Sequence, residues 1–272
     1  MTAAKLLSIA GSDPSGGAGV QADLKTFSAF GCYGMAAISA LTAQNTLGVQ
    51  AVSVVPAEFV ARQIDSIFSD IAVDAVKIGM IGAPANAIAI AEALARHGAR
   101  NIVVDPVLAA SAGHDLGGDA MAAPLRQNLF ALARLVTPNL MEAALLSGAR
   151  MPATPGDMRA LALRLHAFGA PAVLIKGGHL PEGDAFDLLY DGAKFFEFTA
   201  PRIKTRNSHG TGCALSSAIA ALLGQGFALA EAVGEAKAWL TRALQAGAGQ
   251  RIGAGHGPPL HSCDLAPVAR PS

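Results

Sequence analysis

Short apolar runs alternate along this chain with longer stretches of helical period, and that alternation constrains the fold more than any other feature. Strand-like runs fall at 5–10, 35–41, 49–55, 75–79, 101–105, 135–137 and 172–176. Helical patterns fall at 17–30, 58–69, 86–97, 121–132, 140–146, 158–168, 211–223 and 229–246. In 58–69, for example, Phe59, Ile64, Ile67 and Phe68 share one face. Such repetition predicts a mostly parallel sheet with helices on both faces. Ile102-Val103-Val104 and Val173-Leu174-Ile175 are apolar without a break, as strands covered on both sides are. A hairpin is expected where 186–190 and 194–199 meet at Asp191-Gly192. No repeat or linker divides the chain. One domain is therefore expected over 1–261, with 262–272 a flexible tail and mobile loops at 110–118 and 148–156.

Composition restricts the partners. Hydrophobic residues make up 52% and charged residues 15% of the 272, a globular profile with a large core. Aromatics are only 5%, so that core must be built from Ala, Leu, Ile and Val. The formal net charge is zero, which argues against nucleic acid or an anionic membrane as partner. No apolar run approaches the roughly 20 residues of a membrane span, and the N-terminal apolar stretch is too brief for a secretory signal. A cytoplasmic protein is expected. Cys32, Cys213 and Cys263 are widely spaced and include no C-x-x-C, which weakens both zinc and disulfide readings.

In an open parallel sheet, ligands bind beyond the carboxyl ends of the strands. Behind the first strand comes Gly11-Ser12-Asp13-Pro14-Ser15-Gly16-Gly17-Ala18-Gly19. It is neither a dinucleotide fingerprint nor a Walker A loop. A tight turn and a wall for a small flat ligand fit it equally, and Asp23 falls on the expected ligand side of the next helix. Asp105, before Pro106, and Glu142, one turn into a helix, are the candidate Mg²⁺ ligands. Taken singly, each also fits a plainer role, Asp105 in a turn and Glu142 against the helix dipole. Lys176 ends an apolar strand, so it either snorkels to solvent or meets a phosphate. Lys237, mid-helix beside Trp239, is expected at the surface. Gly210-Thr211-Gly212-Cys213 opens a helix whose free amides form a ready anion site. Cys213 there is either a small packed thiol or a group whose pKa the helix N-terminus lowers.

Several motifs together carry a resemblance. They are 10–19, Gln21-Ala22-Asp23-Leu24-Lys25-Thr26-Phe27, Ala43-Gln44-Asn45-Thr46, Lys77-Ile78-Gly79-Met80, Asp105-Pro106-Val107, Thr137-Pro138-Asn139, Lys176-Gly177-Gly178-His179 and His209-Gly210-Thr211-Gly212-Cys213. The chain resembles the ribokinase superfamily, and within it the hydroxymethylpyrimidine/phosphomethylpyrimidine kinases of thiamine biosynthesis, over about 6–261. The resemblance implies an α/β chain of ribokinase-like three-layer α/β/α architecture around a central, mostly parallel sheet. It implies ATP-dependent phosphorylation of 4-amino-5-hydroxymethyl-2-methylpyrimidine to the monophosphate and then the diphosphate. Gly11, Asp23, Gln44, Met80 and Val107 would hold the pyrimidine. Asp105 and Glu142 would organise Mg²⁺, through water. Asn139, Lys176 and Thr211 would meet the nucleotide. Cys213 would be the base, in the place of the superfamily's Asp, with the amides of Gly210, Thr211 and Gly212 stabilising the transferred group. A homodimer is expected from the same resemblance.

The chain departs from the family pattern at Ala109-Ala110-Ser111-Ala112-Gly113, where a Lys or Thr side chain is often present. Any lid contact from that side chain is missing here. The nearest rival is a pyridoxine or pyridoxal kinase of the same superfamily. A nucleotide-binding module without turnover is disfavoured by the joint presence of Asp105, Glu142, Lys176 and Cys213. An NAD-dependent oxidoreductase fails on the missing fingerprint.

Overall fold

A computed structural model describes residues 2–108, 118–178, 180 and 183–265. Nine strands form one sheet: β1 (Lys5–Ser12), β2 (Tyr33–Asn45), β3 (Gly48–Val54), β4 (Ala75–Ile78), β5 (Ile102–Val104), β6 (Leu135–Val136), β7 (Val173–Gly177), β8 (Ala185–Tyr190) and β9 (Phe195–Ala200). Their order is β3-β2-β1-β4-β5-β6-β7-β8-β9. From β2 to β7 every pairing is parallel, while β3, β8 and β9 join antiparallel at the edges. The expected β8–β9 hairpin is present, and the Asp191 carboxylate accepts from the Ala193 and Lys194 amides to turn it.

Alternation along the strands divides the core. Leu7, Ile9, Val76, Ile78, Val104 and Val136 face α2 (Ala57–Phe68), α3 (Pro84–Arg96), α4 (Gly118–Asn128), α5 (Leu140–Ser147) and α6 (Pro155–Ala167). Leu6, Ala75, Val103, Leu135 and Leu174 face α7 (Thr211–Gly224) and α8 (Leu229–Gly247), with α1 (Gly19–Ala29) supplying Phe27. This is the expected three-layer arrangement. Small residues on α7 let it lie close to the sheet: a Cβ at Gly224 would sit 2.7 Å from Leu6 Cδ2. Among the described residues no helix is long and apolar enough to cross a membrane.

Some boundaries differ from expectation for local reasons. Strand β2 runs past 41 to Asn45 because β3 pairs with it, Gln44 opposite Val49. That extension has alternating exposure and lacks the apolar run that marks a two-sided strand. Helix α6 begins at Pro155, inside the expected loop at 148–156. Thr154 and Asp157 form a reciprocal capping box there, and Pro155 occupies the first turn, where its missing amide costs nothing. The expected helix over 121–132 closes as α4 at Asn128, and a separate 3-10 turn covers Phe130–Leu132. Of the expected tail, Asp264 pairs with Arg242 at 2.8 Å. Residues 266–272 lie outside the described residues, as do nearly all of the expected loop at 110–118 and all of the departure at 109–113.

Candidate active site

Parallel registry brings the ends of the inner strands level. Ile78 pairs with Val104, and Val104 with Val136, so the residues that follow emerge side by side. Thr137 Oγ1 accordingly donates to Asp105 Oδ1 at 3.1 Å. Lys176, brought alongside by its bridge to Asn139, places Nζ 2.6 Å from the same oxygen. Ser216, one turn into α7, donates to Asp105 Oδ2 at 3.2 Å. Burial would raise the Asp105 carboxyl, but Lys176 and Lys77 hold it below its ordinary value. Burial likewise disfavours the Lys176 ammonium, and Asp105 and Glu142 outweigh it.

Asn139 and Glu142 cap α5 reciprocally. Asn139 Oδ1 accepts from the Glu142 amide at 2.9 Å, and Glu142 Oε2 accepts from the Asn139 amide at 2.8 Å. Both expected ligand residues therefore also serve the helix start. Glu142 is raised to about 7, first by burial and then by the charge of Asp105, with Lys176 opposing. Glu142, whose charge the surroundings under-compensate, suits a cation in front of it, while Asp105 beside it is already offset by Lys176 and Lys77. Among the described residues no group of three or more His, Cys, Asp or Glu converges as a metal site. Carboxylate oxygens from two residues fit Mg²⁺, which keeps waters and shares phosphate oxygens, better than an ion that needs a full protein cage.

The anion loop packs against the first loop. Gly210 caps α7 at φ 74, and a Cβ there would strike the Gly17 carbonyl, so only glycine fits. A Cβ at Gly212 would lie 3.1 Å from Lys176 Nζ, which puts the ammonium against the first turn of α7. Thr211 Oγ1 donates to the Ser208 carbonyl at 3.0 Å. Cys213 is half-buried, and its thiol is pushed up to about 11. This corrects the expected lowering. Burial dominates, Asp23 and Asp105 add repulsion, and Lys77 with the Gly19 amide offsets only part.

Asp23 is also corrected. It has no exposure. Its oxygens accept from Lys77 Nζ at 2.8 and 2.9 Å, Ser8 Oγ at 2.6 Å and Ser217 Oγ at 2.8 Å. Lys237 is not at the surface either: its Nζ lies 2.7 Å from buried Asp187, which also accepts from the Gly177 amide. That partner is 50 residues away, so no local pattern announces it.

Of the remaining expected substrate contacts, Gly11 and Met80 adjoin: a Cβ on Gly11 would sit 3.0 Å from Met80 Sδ. Gln44 reaches Thr42 and His209, at 3.2 and 3.3 Å. Val107 is half-buried, its amide on the Asp105 carbonyl. His179 lies outside the described residues. Two residues without an expected role stand out. Asp13 accepts from Ser15 and from the Gly17 and Ala18 amides, and His209 Nε2 lies 2.9 Å from it. Burial would raise Asp13, but hydrogen bonds from His209 and Ser15 hold it at about 2. An acid in a Gly-rich turn reads as a turn residue, and its partner 196 positions away is invisible in sequence.

The comparisons with known proteins agree on kinases but divide between pyrimidine and pyridoxal names. The profile of the phosphomethylpyrimidine kinase family matches residues 13–260. The hydroxymethylpyrimidine/phosphomethylpyrimidine kinase of Rhizobium meliloti is 52% identical over 255 residues, 94% of this chain and 96% of that protein. The thiamine biosynthesis bifunctional protein ThiED of Geobacter sulfurreducens is 49% identical over 256 residues, and the chain spans only 52% of its length. Among solved structures, an ADP complex of Bacillus subtilis pyridoxal kinase superposes with a TM-score of 0.90 at 36% identity, covering 97% of this chain and 100% of that one.

Proposed function

The chain belongs to the phosphomethylpyrimidine kinase family, and we propose from that membership how its residues divide the work of phosphoryl transfer. Its activity is phosphorylation of hydroxymethylpyrimidine and then of phosphomethylpyrimidine, with ATP as donor, in thiamine biosynthesis. The observation that carries the residue assignment is Lys176. It lies 2.6 Å from Asp105 and against Gly212, so a fixed cation and a helix N-terminus converge one residue from Cys213. Phosphoryl transfer depends mainly on positioning and charge stabilisation, and that convergence supplies both.

Gly11, Gln44, Met80 and Val107 hold the pyrimidine. Asn139, Lys176 and Thr211 meet the nucleotide, and the amides of Gly210 to Cys213 receive the transferred group. Asp105 and Glu142 would hold Mg²⁺, which when bound would neutralise charge on the phosphates. Cys213 takes the proton of the substrate alcohol. Two copies pair along edge strand β3, whose Val52 and Val54 are exposed on one face.

Product mass tests the activity. Purified protein with MgATP converts hydroxymethylpyrimidine to its diphosphate, with pyridoxine run in parallel. The likeness to a pyridoxal kinase keeps pyridoxine as the second reading. Phosphorylation of pyridoxine alone would replace the substrate, and turnover of neither would leave a binding module.

A thiol raised to about 11 sets a pH signature. Its thiolate fraction grows tenfold per unit of pH below that value, so the first phosphorylation accelerates from pH 7 towards 10. The second acts on a phosphate whose second pKa is about 6 and gains nothing there. The ratio of kcat/KM on the two substrates cancels titrations of MgATP. That ratio rises with pH, and a flat ratio would remove Cys213 as base.

A further inference from the structure

His209 sits where three segments distant in sequence meet. Its amide donates to the Gly257 carbonyl at 3.0 Å. A Cβ on Gly17 would fall 2.5 Å from its Cδ2, so the imidazole packs against that glycine. Nε2 is 2.9 Å from Asp13 Oδ2 and 3.3 Å from the side-chain nitrogen of Gln44.

Hydrogen-bond chemistry restricts this arrangement. Asp13 is ionised and only accepts, so Nε2 carries the proton and has no lone pair left. The Gln44 nitrogen, also a donor, then faces a donor. Thr42 has a matching conflict. Its one hydroxyl proton can go to the Ser12 carbonyl at 2.9 Å or to Gln44 Oε1 at 3.2 Å, not fully to both. Turning the Gln44 amide half over about its last bond removes both conflicts. Oε1 then shares the His209 proton with Asp13, and the amide nitrogen donates to Thr42, whose own proton goes to Ser12. One N–H and one Oε1 lone pair of Gln44 remain unspent.

We propose that His209 is a positioning residue that fixes which end of the Gln44 amide meets which part of the substrate, and so sets selectivity for an aminopyrimidine over a pyridine. This rests on the reading of Gln44 as a ring contact. An adjacent donor and acceptor complement the ring nitrogen and exocyclic amine of a 4-aminopyrimidine, as an Asn or Gln amide complements the edge of adenine. Pyridoxine has no such pair and gains little from the orientation.

The test is a double-mutant cycle of His209→Leu and Gln44→Ala. It reads KM for hydroxymethylpyrimidine, pyridoxine and ATP, with kcat for each. His209→Leu raises the pyrimidine KM by roughly tenfold, the loss of about one oriented hydrogen bond, and lowers the pyrimidine-to-pyridoxine ratio of kcat/KM equally. KM for ATP and kcat stay near wild type, and the double variant is no worse than Gln44→Ala. His209→Gln, which keeps a side-chain N–H, recovers part of the affinity and carries the same comparison should His209→Leu not fold. Additive losses, or an equal rise in KM for ATP, would overturn the proposal and leave His209 a packing residue. An unchanged pyrimidine KM in Gln44→Ala would instead remove Gln44 as a ring contact, a separate failure visible in that single variant.

Discussion

Replacing Cys213 with alanine is expected to slow phosphorylation of the alcohol by about 10²–10⁴-fold, the range general-base catalysis supplies. The second phosphorylation slows far less. The alcohol must lose a proton as its oxygen bonds to phosphorus, and the proposed base, Cys213, sits in the first turn of α7. The monophosphate attacks through an oxygen already largely ionised near pH 7, because its second pKa is about 6. Rapid-quench single turnovers on each substrate separate chemistry from product release. Equal losses on both would make Cys213 a packing or positioning group. Cys213→Asp refines the comparison. A carboxylate is ionised at pH 7, so any activity it retains lacks the rise with pH expected of a thiol raised to about 11.

Lys77→Met is expected to destabilise the fold by about 3–5 kcal/mol, the cost of leaving one member of a buried ion pair uncompensated. Both side chains have zero exposure and lie 2.8 Å apart. Ser8 and Ser217 also donate to Asp23, but hydroxyls cannot neutralise a carboxylate in that environment. Denaturant midpoints at constant m-value measure the loss. Combining Lys77→Met with Asp23→Leu recovers most of it, because an apolar pair of similar volume often replaces a buried ion pair at little cost. The double variant also separates fold from chemistry. Lys77 favours the Cys213 thiolate more than Asp23 opposes it, so removing both returns stability while the first step regains only part of its rate. Recovery of both would confine Lys77 to a structural role.

The layered architecture was legible in the sequence because buried parallel strands need unbroken apolar runs and the intervening helices need one apolar stripe. Ile102–Val104 and Val173-Leu174-Ile175 meet that demand with few other options. Elements whose signal lay elsewhere were read less well. The extension of β2 to Asn45 rests on its antiparallel partner, and the start of α6 rests on a reciprocal cap between Thr154 and Asp157.

The same division runs through the candidate site. Local sequence determined that Asp105, Thr137 and Lys176 end strands and that glycines open α7, because strand ends and helix starts have short-range signatures. Only the tertiary structure decided which charges meet. Asp23 reads as a ligand contact but is consumed by Lys77, 54 residues away. Lys237 reads as exposed but is buried on Asp187. Cys213 reads either as a packed thiol or as one activated at a helix N-terminus, and burial beside Asp23 and Asp105 raises it instead. Helix dipoles and strand ends are properties of a few consecutive residues. Desolvation and ion pairing depend on what the rest of the chain brings within a few ångströms, and a linear pattern carries no record of that.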